Sequence, residues 1–324
     1  MIRHSVEPGK GDRHVAWLGA SPLFRLTTTG RARRGLTLVE LLITISILTI
    51  LTSILLFAAA AAQESARKAQ TRSMISRLNA LLMERWESYR IRRVPVPAIS
   101  SGNPAVDRLN ALRLLMQMEM PERWSEIATP HDNPSAVLNI SPTALSHAYR
   151  RRYLAVRSHP ELERHQGAEC LYLLITMGTD GGTALEQFSD SNIGDTDGDG
   201  ALEFLDGWGK PISFLRWPAG FVSDLQTGDF EKDHDPFDPF RADPDAYRLL
   251  PLIYSAGPDD ELGIASRAAS SSSWGVTIAE SSGGILDPYM DIDPPNNVKF
   301  GQRVLGANDR LGYLDNIHSH ALGP

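Results

Sequence analysis

The chain has 324 residues, a formal net charge of −7, 42% hydrophobic residues and one cysteine, Cys170. The acidic balance argues against nucleic acid as a partner, because nucleic-acid binders draw most of their affinity from Lys and Arg on phosphates. A single thiol excludes an intrachain disulfide, so the body must be held by its core or by metal, and Cys170 is expected to be a small buried apolar side chain.

Residues 1–35 carry Arg3, Lys10, Arg13, Arg25, Arg31, Arg33 and Arg34 against Glu7 and Asp12. An apolar stretch follows from Leu36 to Ala62, with Glu40 its one charge. At about 1.5 Å rise per residue it is long enough to cross a hydrocarbon core of roughly 30 Å. A secretory signal peptide places its cleavage site after the apolar core. Here Gly35 and its flanking arginines precede that core, so cleavage there would keep the helix on the product. The arginines also hold residues 1–35 in the cytoplasm by the positive-inside rule, sending the C-terminal bulk across; Arg67, Lys68 and Arg72 weaken that bias without reversing it. Glu40 within such a helix costs on the order of 3 kcal/mol unless a partner offsets it, which marks the residue as functional.

The run Gly35-Leu36-Thr37-Leu38-Val39-Glu40-Leu41-Leu42 resembles the prepilin cleavage and methylation motif of type IV pilins and type II secretion pseudopilins. The resemblance implies that prepilin peptidase cleaves after Gly35 and methylates the new amine of Leu36, where the family usually has Phe. It implies that Glu40, the fifth mature residue, pairs with that amine on a neighbouring subunit. The implied partners are other pilin or pseudopilin subunits, membrane lipid, and the inner-membrane platform of a secretion or pilus machine. The implied location is the inner membrane, single-pass, with the head periplasmic or extracellular. Removing the leader's charge of +5 leaves −12 on the product.

Beyond the span, Met74, Ile75, Leu78, Leu81, Leu82, Trp86 and Tyr89 recur at helical spacing, with Arg72, Arg77, Glu84 and Glu87 between them. No proline interrupts before Pro95 and Pro97, so one helix is expected from Leu36 to about Arg92, membrane-spanning over 36–62 and amphipathic over 63–97. Its outer stripe is expected to pack on the chain's own head. The fold class is therefore α+β: a long N-terminal helix on a small antiparallel-sheet head, with a helical insertion at 98–177 and a β-rich part at 178–324.

In the insertion, Val106, Leu109, Leu112, Leu115 and Met116 form one stripe, and Ser141-Pro142 reads as an N-cap followed by proline at the first helical position. That second helix is expected to reach Ser158, and a third to cover Ala168–Ile175. Arg150, Arg151, Arg152 and Arg157 read as a solvated face. Farther on, Ile212–Trp217 and Leu249–Ser255 read as two antiparallel strands, separated by an irregular Asp- and Pro-rich excursion over 224–245. The turn Trp208-Gly209-Lys210-Pro211 and the segment Ser255-Ala256-Gly257-Pro258-Asp259 resemble the head of the major pseudopilin.

The segment Asp195-Thr196-Asp197-Gly198-Asp199-Gly200-Ala201-Leu202-Glu203-Phe204-Leu205-Asp206 matches an EF-type calcium loop. Its ligand positions fall on Asp195, Asp197, Asp199, the Ala201 carbonyl, Glu203 and Asp206, with Gly200 in the sharp turn. Asp206 stands where such loops use Glu and has a shorter reach. A weaker candidate is Asp259-Asp260-Glu261, to which Asp291, Asp293 or Asp315 could contribute. Calcium is thus the expected cofactor.

No catalytic signature emerges. His131, His147, His159, His165, His234, His318 and His320 show no metal-protease spacing, and His318 and His320 read as part of a frayed tail. Gly-x-Ser-x-Gly, P-loop and dinucleotide patterns are absent, and Ser270–Ser273 reads as a flexible linker. The expectation is a structural subunit and no enzyme. The rival is a monomeric, membrane-anchored, calcium-dependent ligand-binding module that retains its leader.

Overall fold

The computed structural model describes residues 35–94, 101–132, 140–178, 184–266, 280–281, 285–289, 292–293, 298–305 and 312–322. The leader up to residue 34, the prolines at 95 and 97, the serine tract at 270–273 and Asp291 lie outside these residues. The chain divides into two units, Met1–Leu56 and Phe57–Pro324. The architecture is mixed α+β, with a long apolar N-terminal helix, several shorter helices and small antiparallel sheets.

Helix α1 runs Leu38–Ser88. It starts two residues later than the expected Leu36, inside the apolar run, and gives way before the expected Arg92 to a tightened turn, with the amides of Tyr89, Arg90, Ile91 and Arg92 reaching back three residues to Trp86, Glu87, Ser88 and Tyr89. Side chains from Leu38 to Gln63 are exposed. From Thr71 onward one stripe is buried: Thr71, Met74, Ile75, Leu78, Leu82 and Trp86, continued by Tyr89 just past the helix end. The 3.6-residue repeat read from the sequence is the repeat that buries this half of the helix.

Helix α2, Pro104–Glu119, begins with Asn103 accepting the Ala105 amide at 3.0 Å and proline in the first turn. The sequence suggested one apolar stripe, but α2 is buried on nearly every side, including Arg113, Gln117 and Glu119. Buried charges are tolerable only when paired. Arg113 bonds Asp243 at 3.0 Å and the Leu286 carbonyl at 2.6 Å. Glu119 accepts from the Tyr89 hydroxyl at 2.9 Å and from Arg92 at 2.7 Å. Helix α3, Trp124–Asp132, adds a third such link: Glu126 takes two bonds from the fully buried Arg216, at 2.8 and 2.9 Å.

Helix α4 spans Ala144–Val156 and is capped by Thr143, whose hydroxyl accepts the Ser146 amide at 3.2 Å. The cap thus lies two residues past the expected Ser141, and Pro142 precedes the helix instead of opening it. Arg151, Arg152 and Arg157 are exposed, as a solvated face requires, while Arg150 is half-buried. Helix α5, Gln166–Gly178, lies against the sheet, and Cys170 within it is fully buried. Gly167 permits the close approach: a Cβ there would sit 3.2 Å from the Phe214 carbonyl oxygen.

Strands β1 (Ile193–Gly194) and β2 (Glu203–Phe204) pair antiparallel and close the acidic loop between them. Strand β3 (Ser213–Leu215) pairs antiparallel with β4 (Leu252–Ser255), with Phe214 opposite Ile253. Two short pairs follow, β5 (Glu280–Ser281) with β6 (Ile285–Leu286) and β7 (Ile292–Asp293) with β8 (Val298–Lys299). Strand β9 (Ile317–His318) completes a three-stranded sheet in the order β3-β4-β9. One core joins Leu78, Leu82 and Trp86 of α1 to Leu112 and Leu115 of α2, Leu171 and Leu174 of α5, and Phe204, Phe214 and Ile253 of the strands. Each such side chain contributes about 1.5–3 kcal/mol by leaving water. The excursion over 224–245 contains no helix or named strand, yet Arg113 ties Asp235 and Asp243 to α2.

The C-terminal histidines do not fray. His318 sits opposite Tyr254 in the sheet, and buried His320 lies 3.1 Å from both the Ser223 hydroxyl and the Pro251 carbonyl. Both rings meet Phe221 edge-on. Burial, aided by His320 and Arg303, lowers the His318 pKa to about 4. An unfolded histidine titrates near 6.5, so the neutral ring's contribution to stability is present above that pH and is lost as pH falls from 6.5 through 4. His318→Gln is expected to flatten the decline of melting temperature across that window; an unchanged slope would show that other groups govern it.

Candidate functional sites: the N-terminal motif and an acidic loop

Gly35, Leu36 and Thr37 precede the first turn of α1 and are exposed. Thr37 is the residue before Leu38, and it closes a reciprocal cap with Glu40. The Thr37 amide and hydroxyl each donate to Glu40 Oε2 at 2.9 Å, and the Glu40 amide donates to Thr37 Oγ1 at 3.2 Å. This is the Ser/Thr-x-x-Glu capping box, which satisfies two of the amides that every helix start leaves bare. The spacing Thr37-Leu38-Val39-Glu40 is the sequence signature of that box, here set inside an apolar run.

Four hydroxyls farther along the span bond back to the helix's own carbonyls. Thr44 donates to the Leu41 carbonyl, Ser46 to Leu42, Thr49 to Ser46 and Ser53 to Thr49, each at 2.8 Å. Such back-bonding makes hydroxyls tolerable in hydrocarbon, where no water substitutes. Glu40 alone is charged between Leu38 and Ala62. Thr37→Ala should cost about 1 kcal/mol at the helix start. It would show as faster amide exchange at Val39 and Glu40 in detergent, with protection in 57–324 unchanged.

The second site is the loop between β1 and β2. Gly198 and Gly200 take left-handed backbone conformations, φ 77° and 94°, which fold Asp195, Asp197 and Asp199 onto one another. Asp195 accepts the Gly198 amide at 2.7 Å and the Gly200 amide at 3.0 Å, and Asp199 accepts Ala201 at 2.7 Å. Glu203 accepts both the amide and the hydroxyl of Thr196, at 3.1 and 3.2 Å. Carboxylate oxygens of Asp195, Asp197 and Asp199 lie within 4.8 Å of one another, and so do those of Glu169, Asp197 and Glu203.

Glu169 had escaped the sequence reading. It projects from α5 and is 1% exposed. Its Oε2 accepts the Trp124 indole N–H, and its Oε1 has no hydrogen-bond partner. Burial, then Asp199, raises its pKa to about 9, and burial raises that of Glu203 to about 7. Burial likewise pushes Asp199 upward. The discoverable signal was an acid inside the apolar run Ala168–Ile175, the same pattern that singles out Glu40.

Asp206, the expected last ligand of the loop, is placed elsewhere. It accepts the amides of Trp208 at 2.8 Å and Lys210 at 2.9 Å through one oxygen, and the Ser255 hydroxyl at 2.6 Å through the other. It therefore closes the turn before β3 and fastens that turn to β4. Ala201 remains in the loop, donating its amide to Asp199. At the weaker candidate, Asp259 accepts the Glu261 amide at 3.0 Å, while Asp260 pairs with Lys210 at 2.5 Å. Asp315 lies close to Asp259. Among the described residues these acids do not converge as the 195–203 set does.

Residues 30–56 match the family model described as the prokaryotic N-terminal methylation motif, the type IV pilin and pseudopilin signature. No curated protein and no solved structure matches the chain. The motif is that of a pilin- or pseudopilin-type substrate of prepilin peptidase. With it goes, among the described residues, one helix, Leu38–Ser88, that is long and apolar enough to cross a membrane. Together they fit a single-pass, membrane-anchored pilin.

Proposed function

We propose that this chain is a structural pilin-type subunit, and not an enzyme, that assembles through α1 into a type II secretion pseudopilus or a type IV pilus-like filament. Prepilin peptidase removes residues 1–35 and methylates Leu36. The helix holds the product in the inner membrane with residues 57–324 on the outer side, where the assembly platform collects it. The observation that carries this reading is the methylation motif at 30–56 on an apolar stretch, Leu36–Ala62, whose single charge is Glu40.

Glu40 supports the assembly step on physical grounds. Its carboxylate is expensive in lipid, and so is the amine that cleavage creates on Leu36. Pairing the two across subunits lowers both costs and sets the register between helices, because a buried charge left without its partner costs about 3–5 kcal/mol. In the single chain the capping box with Thr37 satisfies one carboxylate oxygen. A helix start would thus have a local partner before assembly and a neighbour's amine after it.

The test is co-expression with prepilin peptidase followed by fractionation. The reading expects a membrane-bound product shortened by the leader and crosslinked to copies of itself or to related subunits. A full-length monomer under the same conditions would support a membrane-anchored binding module instead.

A further inference from the structure

We propose that Glu169, Asp197 and Glu203, with Asp195 and Asp199, form a divalent-cation site of the calcium class that fastens helix α5 to the β1–β2 loop. The acidic sequence of the loop is not by itself the reason. The reason is Glu169, which comes from a different element, is 1% exposed, keeps one carboxylate oxygen without a hydrogen-bond partner, and brings a carboxylate oxygen within 4.8 Å of those of Asp197 and Glu203. Asp197 Oδ2 and Asp199 Oδ2 are likewise shielded from solvent and without hydrogen-bond partners. Among the described residues no Lys or Arg forms an ion pair with any of the five acids, unlike Glu119, Glu126 and Asp243, which all face arginines.

Calcium binds six to eight hard oxygens at about 2.3–2.6 Å, so two oxygens across one ion stand roughly 4.8 Å apart. The two carboxylate triplets, each within 4.8 Å, share Asp197. They therefore describe one ligand cluster with Asp197 at its centre. Glu169 takes the part that an EF-type loop gives to its last acid, since Asp206 is committed to its own turn. A cavity of about 280 Å³ borders Glu169, Gly200 and Ala201, where α5 meets the loop. The inference is independent of filament assembly.

The experiment uses the full chain in detergent, stripped with chelator and titrated with terbium, a luminescent calcium substitute. Trp124, whose indole N–H touches Glu169, is placed to sensitise an ion bound there. The expected result is tryptophan-excited terbium emission that calcium displaces. Glu169→Gln and Asp197→Asn should each weaken the apparent affinity at least tenfold, while chelated samples of both melt cooperatively. Calcium should raise the melting temperature of the parent chain by more than that of either variant. Absence of calcium-displaceable emission from the parent chain would overturn the site, whatever the variants do. A Glu169→Gln affinity within twofold of the parent's would overturn the role of α5 in it.

Discussion

A Glu40→Leu chain is expected to insert, to be cleaved after Gly35 and to fold its head, yet to fail to enter filaments. Insertion should be helped, because leucine is favourable where a carboxylate costs on the order of 3 kcal/mol. The head should be indifferent, since the hydrogen bonds of the Glu40 side chain run to Thr37 within the first turn. Assembly is where the loss falls. Each neighbour would bury the Leu36 amine without a counter-charge, at about 3–5 kcal/mol per contact, and every 1.4 kcal/mol is a tenfold loss in an association constant. Thr37→Ala provides the control, because it removes the cap while keeping the acid. If Thr37→Ala assembles and Glu40→Leu does not, pairing is separated from capping; normal filaments from Glu40→Leu would dispose of the pairing.

The second large effect is expected from Gly35→Ala, which should abolish maturation. Gly35 is exposed, and a Cβ built on it meets no atom within 4 Å, so alanine costs the fold nothing. Any loss then belongs to recognition by the peptidase, which must bring backbone close to the bond it cuts. The variant should accumulate at full length in the membrane and stay out of filaments, because no free amine forms on Leu36. A product of normal size from Gly35→Ala would place the cleavage site elsewhere.

What could be read from the sequence was what repeats locally. The stripe from Met74 to Tyr89 follows the helical period, and its residues are buried as the period requires, apart from the half-buried Leu81. The runs around Phe214 and Ile253, each beside turn residues, pair as strands. What escaped depends on partners distant in sequence. Arg113 and Glu126 look like solvent-facing charges of amphipathic helices until Asp243 and Arg216 arrive from farther along the chain to neutralise them. Helix α2 is therefore central to the core and not one face of an added layer. The same reason hid Glu169, which meets its loop only after α5 packs on β2. Asp206 fitted the loop by count, but the turn that follows it held amides at shorter range.

The two acids inside apolar helices illustrate one rule at two depths. An ionisable group in an apolar run must be matched by something outside that run, or remain a cost. For Glu169 the structure brings up more carboxylates, which makes a cation the natural match. For Glu40 it brings up Thr37, a partial match that leaves the charge itself uncompensated.

Mass spectrometry of the N-terminus of the membrane-bound chain, isolated from cells containing prepilin peptidase, decides whether that compensation is supplied by processing. The expected spectrum begins at N-methylated Leu36, with residues 1–35 gone. A chain that still begins with Met1 in the presence of the active peptidase would contradict the pilin-type reading, and with it the role given to Glu40.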